Sequence, residues 1–163
     1  MNTVIKPYDK SDIRSVIAIW NEVVIGGTAF PQTEPLGESD GDTFFSAQSF
    51  TGVAYDEDSG KAVGMYILHP NNVGRCGHIC NASYAVSSSV RGCGIGERLV
   101  RHCINKAKEL GFGILQFNAV VSSNTAALNL YKKLGFTQLG VIPHGFLLKS
   151  GEYEDIIPHY IEL

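Results

Sequence analysis

Apolar residues recur along this chain with two different periods, and the changeovers mark out alternating strands and helices. Thr3 to Tyr8 reads as a first strand. Ile13, Val16, Ile17, Ile19, Trp20, Val23 and Val24 then fall on one stripe of a helix that Ser11 or Asp12 can cap and Gly26-Gly27 ends. The stretch Thr28–Asp42, rich in Gly, Pro, Thr and Glu, has no period and predicts a long irregular loop, with a short helix expected around Thr43 to Gln48. Phe50–Tyr55 and Ala62–His69 form a hairpin about a polar turn, closed beyond by Pro70-Asn71-Asn72. Cys76–Val86 is a longer strand of mixed polarity.

The second half repeats the alternation more sharply. Ile95, Leu99, Val100, Cys103, Ile104, Ala107 and Leu110 make a clear helical stripe, and Gly111 ends it. Gly113–Val121 is an apolar strand, parallel to its predecessor because a helix joins the two. A further amphipathic helix, capped by Ser123 or Asn124 and ended by Gly135, leads to a final antiparallel pair, Phe136–Ile142 with about Asp155–Glu162. The prediction is a single α/β domain over residues 1–163: a mixed sheet of about seven strands flanked by about four helices.

Composition narrows the partners. The chain has 163 residues and a formal net charge of −3, with no run of Lys or Arg, which argues against a nucleic-acid surface. There is no apolar stretch of membrane-span length and no signal-peptide pattern, so the expectation is no membrane partner and a cytoplasmic protein with reduced thiols. The four cysteines lack C-x-x-C spacing. Cys76, His78 and Cys80 alternate and would share a strand face, but with no fourth ligand they read as packing, not as a metal site.

The chemistry begins at Arg91-Gly92-Cys93-Gly94-Ile95-Gly96, between the third strand's successor and the long helix. Three glycines at alternate positions leave one side of the backbone bare, so an anion can approach its N–H groups. The loop runs into a helix N-terminus, where unpaired N–H groups and the dipole favour phosphate, and Arg91 adds a full positive charge. The dinucleotide pattern fails because Glu97 stands where its last glycine belongs, and no Lys-Ser or Lys-Thr follows at nucleotide-loop spacing. What remains is a pyrophosphate cradle of the form Arg91-x-x-Gly94-x-Gly96.

That frame resembles the acyl-CoA signature of the GCN5-related N-acetyltransferases. A second string one strand later, in which Asn124, Ala127, Tyr131 and Gly135-Phe136 keep the family's spacing, makes the resemblance specific over about Cys76 to Phe136. It implies the family's acyltransferase fold and acetyl-CoA as co-substrate, with no metal. By this resemblance the cradle residues Arg91, Gly92, Cys93, Gly94, Ile95 and Gly96 hold the diphosphate. The strand of Cys76–Val86 parts from Gly113–Val121 through a bulge, leaving the main chain of Tyr84, Ala85 and Val86 to pair with the pantetheine arm. Asn124 is a further polar contact, its other reading being the helix N-cap alone. Tyr131 is the catalytic residue and touches the cofactor: a phenol, ordinarily near ~10, beside a departing thiolate, ordinarily near ~8.5, can give it a proton or a hydrogen bond. Its other reading is a tyrosine at the core edge.

This chain departs from many relatives in carrying no carboxylate on the strand before the glycine loop, where the string is His78-Ile79-Cys80-Asn81-Ala82-Ser83-Tyr84. Asn81 cannot take a proton near neutrality, so deprotonation is left to water or a distant carboxylate. Cys93 also stands where a basic residue is common. The strings His78–Ala82 and Phe117–Val120 look like those of acetyltransferases acting on proline analogues such as azetidine-2-carboxylate, which implies Asn81 and Asn118 as ligands of an amino-acid-like acceptor. Asn118 alternatively satisfies backbone groups where the strands part. The resulting expectation is a small-molecule amine N-acetyltransferase, with a homodimer as one arrangement. The alternatives are acetylation of a protein or peptide and a non-catalytic acetyl-CoA sensor.

Overall fold

The computed structural model describes residues 1–163. Nine strands and four α-helices follow one another: β1 (Thr3–Pro7), α1 (Ile13–Gly26), α2 (Glu38–Ser46), β2 (Phe50–Asp56), β3 (Ala62–Pro70), β4 (Ile79–Val86), α3 (Ile95–Glu109), β5 (Ile114–Phe117), α4 (Thr125–Lys133), β6 (Thr137–Gln138), β7 (Ile142–Leu147), β8 (Tyr153–Ile156) and β9 (His159–Glu162). Seven of the strands form one mixed sheet in the order β1-β2-β3-β4-β5-β9-β6. Its first four strands are antiparallel neighbours, and β4 and β5 are the parallel pair.

Strand alternation divides the core into two layers. Val53, Met65, Ile67 and Ala85 face α1 and α2, where they meet Val16, Ile19, Trp20 and Phe45. Ala54, Tyr66, Leu68, Cys80 and Ala82 face α3 and α4, meeting Leu99, Val100, Cys103 and Tyr131. Trp20 is the largest fully buried side chain, and its ring lies 4.4 Å from that of Phe30. Burying such aromatic rings contributes about 2–3 kcal/mol each.

Several boundaries differ from those read in the sequence. Asp9, not Ser11 or Asp12, is the capping side chain before α1: it caps a short 3-10 turn, Lys10–Asp12, that runs into the helix. The second helix starts at Glu38, so the irregular loop is shorter than expected. Residues Gly74–Cys76 form another 3-10 turn and β4 begins only at Ile79, which puts Cys76 on the surface and off any face shared with Cys80. No group of three or more His, Cys, Asp or Glu lies close enough to hold a metal ion.

The largest difference is at the C-terminal end. β6 pairs with β9 as the pattern suggests, but Ile142–Leu147 turns away and makes a separate two-stranded sheet with β8. β5 ends early at Phe117, since the next residues leave β4 altogether. Val121 bridges Ile156, the Ser122 N–H donates to the Asp155 carbonyl at 2.9 Å, and the Ile157 N–H donates to Val120 at 2.8 Å. That peeling of the chain toward β8 creates the site.

Candidate active site

β4 and β5 touch only through Ile79–Ile114 and Cys80–Leu115. Beyond that point they diverge. The expected bulge in β4 is absent, since its pairing with β3 runs without a register shift from Pro70–Cys80 to Gly64–Val86. The divergence comes instead from the chain after β5, where Val121 and Ser122 bond to β8.

Which groups this frees follows from the ladder. The Ser87 N–H donates to Val63 at 3.0 Å and the Asn71 N–H to Ile79 at 2.8 Å, so odd-numbered β4 residues turn their backbone toward β3. Even-numbered residues face the other way, as His78 does in accepting from the Gly113 N–H at 2.9 Å. The main-chain groups of Ala82, Tyr84 and Val86 therefore line the gap. Ala85 departs from expectation: its backbone belongs to the β3 ladder opposite Met65, and its side chain is buried in the α1 layer. Ala82 is the edge residue that the motif reading missed; strand parity, once a register is known, identifies it.

At the far end of the gap stands the glycine loop. Gly92 and Gly94 hold φ of +82° and +77°, and a Cβ at either would meet nothing within 4 Å. Only glycine takes this conformation without strain, and the open side is the side from which a ligand must come. Gly94 is the N-cap of α3, and no side chain caps the helix. The N–H groups of Gly94, Ile95, Gly96 and Glu97 donate to nothing in the protein. Four free donors at a positive dipole end, with the unpaired Arg91 beside them, fit a diphosphate. Cys93 is exposed at the same turn. The loop is braced from α1, where the Glu22 carboxylate accepts the Ser88 N–H at 2.8 Å.

Two connected cavities fill the gap. The outer one, about 640 Å³, runs from Arg91 and Val86 to Tyr84 and Asn124. The inner one, about 180 Å³, is lined by Asn81, Ser83, Tyr84, Phe117, Asn118, Asn124 and Tyr131, and the loop residues Ala29, Phe30 and Pro31 form one of its walls. Tyr84, Asn124 and Ala29 border both. The wall residues were not legible as functional. Their one signal is an aromatic-proline pair inside an otherwise polar loop. Trp20 stacks on Phe30, and Asn21 clasps the loop's end by donating to the Leu36 carbonyl and accepting its N–H, both at 2.9 Å.

Tyr131 is 9% exposed, its ring against Phe117 at 4.5 Å and Phe136 at 5.4 Å. Its hydroxyl makes no hydrogen bond in the protein and opens on the inner cavity. Burial, helped by Cys103, raises this phenol above its ordinary range, so it stays protonated and keeps an O–H to donate. Asn124 caps α4, its Oδ1 accepting the Ala127 N–H at 3.2 Å, while its side of the helix start borders both cavities. The Asn81 Nδ2 donates to the Gln116 carbonyl at 2.9 Å, across the gap. Asn118 trades hydrogen bonds with Asn71, at 2.7 and 3.1 Å, and accepts another from Gln116 at 3.0 Å. Asn81, Asn118, Tyr84, Asn124 and Tyr131 are thus brought together, and the cradle lies at the other end of the same groove.

Residues 27–136 match the acetyltransferase (GNAT) family. The chain is 38% identical over 90 residues to the N-acetyltransferase aca1 of Schizosaccharomyces pombe, a match taking in 55% of this chain and 43% of that protein, so this chain spans less than half of that relative's length. It is 26% identical over 148 residues to the L-methionine sulfoximine/L-methionine sulfone acetyltransferase of Pseudomonas paraeruginosa, covering 88% of this chain and 85% of that one. Among solved structures, a phosphinothricin acetyltransferase from Sinorhizobium meliloti in complex with AcCoA shares the fold, with a TM-score of 0.91 at 23% identity over all of this chain and 89% of that chain.

Proposed function

From the premise that this chain belongs to the acetyltransferase (GNAT) family, we propose that it moves an acetyl group from acetyl-CoA to the nitrogen of a small-molecule amine, an amino acid or proline analogue. One observation carries this reading. A single groove runs from free N–H donors at Gly94–Glu97, along the unpaired main chain of Ala82, Tyr84 and Val86, to the free hydroxyl of Tyr131. Its ends match the ends of acetyl-CoA: a diphosphate at one and a thioester at the other, with amides between.

In this reading Arg91 and the start of α3 anchor the diphosphate. The edge of β4 takes the amide-bearing arm as an added strand. Bound acetyl-CoA supplies an activated acyl group, and an N–H of β4 polarises its carbonyl. Tyr131 donates a hydrogen bond to the sulfur as negative charge gathers there. With its phenol raised by burial, Tyr131 stabilises a thiolate better than it surrenders its proton. Asn81 and Asn118 hold the acceptor.

The small volume of the inner cavity favours a small acceptor over a peptide. Its volume of about 180 Å³ lies below the roughly 300–1,000 Å³ of pockets for drug-sized ligands. The test is release of coenzyme A thiol from acetyl-CoA across amino acids, proline analogues, polyamines and short peptides. Turnover with the first two classes is expected. Turnover with peptides alone would overturn the small-molecule reading, and acetyl-CoA binding without any turnover would make the protein a sensor.

A further inference from the structure

The inner cavity is built without a single charged side chain. Its polar groups are carboxamides (Asn81, Asn118, Asn124), one hydroxyl (Ser83), the Tyr131 phenol and main-chain groups. The titratable groups around it lie outside its lining. On β3, His69 stands opposite Asn81 with Nδ1 against the Pro70 carbonyl at 2.9 Å, and it does not line the cavity. Glu22 on α1 accepts from Ser88 in the outer groove, and Glu34, in the loop after α1, is exposed and outside the lining. On β8, Glu154 accepts from the Ser123 N–H at 3.2 Å and Asp155 from the His144 N–H at 3.0 Å. On β9, His159 is 1% exposed behind Tyr131, with Nδ1 against the Ile157 carbonyl at 2.7 Å. Tyr131 turns its hydroxyl to the cavity, whereas the Tyr84 hydroxyl is buried beneath it without a partner, and burial holds both protonated.

Asn81 adds a direction to this neutral surface. Its Nδ2 is committed to the Gln116 carbonyl, which can only accept. The amide is therefore fixed with Oδ1 as its free acceptor, and Oδ1 has no proton to give and takes none. An ammonium brought here leaves water for carbonyl oxygens alone, with no counter-charge, whereas an uncharged amine keeps one N–H for Asn81 and its lone pair for attack.

We infer that this cavity admits its acceptor as the free amine and supplies no base, so that the acceptor class is compact amines made weakly basic by an adjacent carbonyl. The inference rests on the acetyl-transfer reading above. The ammonium loses its first proton to bulk water before or on entry. The neutral nitrogen then attacks the thioester carbonyl, the C–N bond forms and the C–S bond breaks. The nitrogen's second proton leaves and the departing sulfur gains one, giving amide and thiol. At pH 7.5 the uncharged fraction of an α-amino group beside a carbonyl exceeds that of an alkylamine roughly 200-fold, from reference values near 7.7–8.0 and 10.4.

The experiment uses alaninamide, alanine and propylamine, matched in size and rising in basicity. The pH dependence of kcat/KM is measured for each with acetyl-CoA saturating. Calorimetric titration of the coenzyme A-loaded protein with alaninamide, in two buffers of different ionisation enthalpy, counts protons released on binding. The expected result is an inflection that moves with the acceptor's own pKa. Below that pKa, close to one proton should be released per amine bound. An inflection fixed at one pH for all three amines, or binding without proton release, would show that the protein holds the ammonium and owns the base, overturning the inference while leaving acetyl transfer intact. Failure to acetylate any amine would overturn the acetyl-transfer reading, and this inference with it.

Discussion

Replacing Tyr131 by Phe isolates one oxygen atom. The ring stays where Phe117 and Phe136 pack on it, at 4.5 and 5.4 Å, so the core keeps its contacts. The hydroxyl bonds no protein group, so its removal orphans none, and stability should change by less than about 0.5 kcal/mol. A hydrogen bond to a charged group is worth about 1.5–3 kcal/mol, and each 1.36 kcal/mol is tenfold in rate, so the acyl-transfer step should slow roughly ten- to 150-fold. Affinity for acetyl-CoA, set by the cradle and the β4 edge, should change less than about twofold.

The assay has three readouts. Thermal unfolding checks the fold, calorimetry gives acetyl-CoA affinity, and rapid-mixing single turnover measures the chemical step free of product release. Because burial raises the Tyr131 phenol, the parent protein should also show no alkaline inflection from this group below about pH 10. A Tyr131→Phe variant with an unchanged melting temperature, unchanged affinity and a chemical step within twofold of the parent would refute the role given to the hydroxyl. A large loss of stability would refute the packing argument instead.

Three further outcomes test other parts of the site. Gly94→Val forces a β-branched residue to φ +77° at the helix start and should weaken acetyl-CoA binding at least tenfold in a calorimetric titration; unimpaired binding would contradict the cradle. Asn124→Ala should cost about 1 kcal/mol in denaturant unfolding through loss of the α4 cap, and Asn124→Ser should restore it, leaving any affinity loss shared by both as the measure of cofactor contact. Stability should fall in alkali. Burial raises Tyr66, Tyr84 and Tyr131 in the folded state, so the unfolded chain ionises first; their contribution is complete below about pH 10 and lost as pH rises beyond it, checked by chemical denaturation from pH 8 to 11. A midpoint that does not decline over that range would count against their burial.

What was legible in the sequence is what short stretches of chain determine. The glycine loop and α3 follow from positive-φ glycines running into a 3.6-residue stripe, and α4 from its cap and its stripe. The α/β class and the parallel β4–β5 pair followed from the helix between two apolar runs. Illegible features depend on partners distant in sequence. That β5 ends at Phe117 is decided by Asp155 and Ile157, some 35 residues on, which draw Val120–Ser122 off the sheet. The backbone of Ala85 could not be distinguished from that of Tyr84 and Val86, because parity acquires meaning only with the β3 register. The wall of the inner cavity was hidden for the same reason: Phe30 is fixed by Trp20 and by the clasp of Asn21 on Leu36, neither of which has a periodic signature.

Parting two strands of a sheet strips hydrogen bonds from both, and this chain repairs only one lip of the opening. On the β5 side the Gln116 carbonyl recovers a donor from Asn81, Val121 and Ser122 find new partners on β8, and Val120 finds one in Ile157 just beyond it. On the β4 side Ala82, Tyr84 and Val86 recover nothing from the protein, nor do Gly94 to Glu97 at the end of the groove. Unsatisfied backbone groups near an apolar interior are costly, on the order of 1–3 kcal/mol each. A fold that repaired both lips would be more stable and would have nothing left with which to recognise a chain of amides ending in a diphosphate. The asymmetry also explains the otherwise odd choice of Asn at position 81. A carboxylate there could take a proton but could not donate to Gln116, so the residue that closes one lip of the split cannot also be a base.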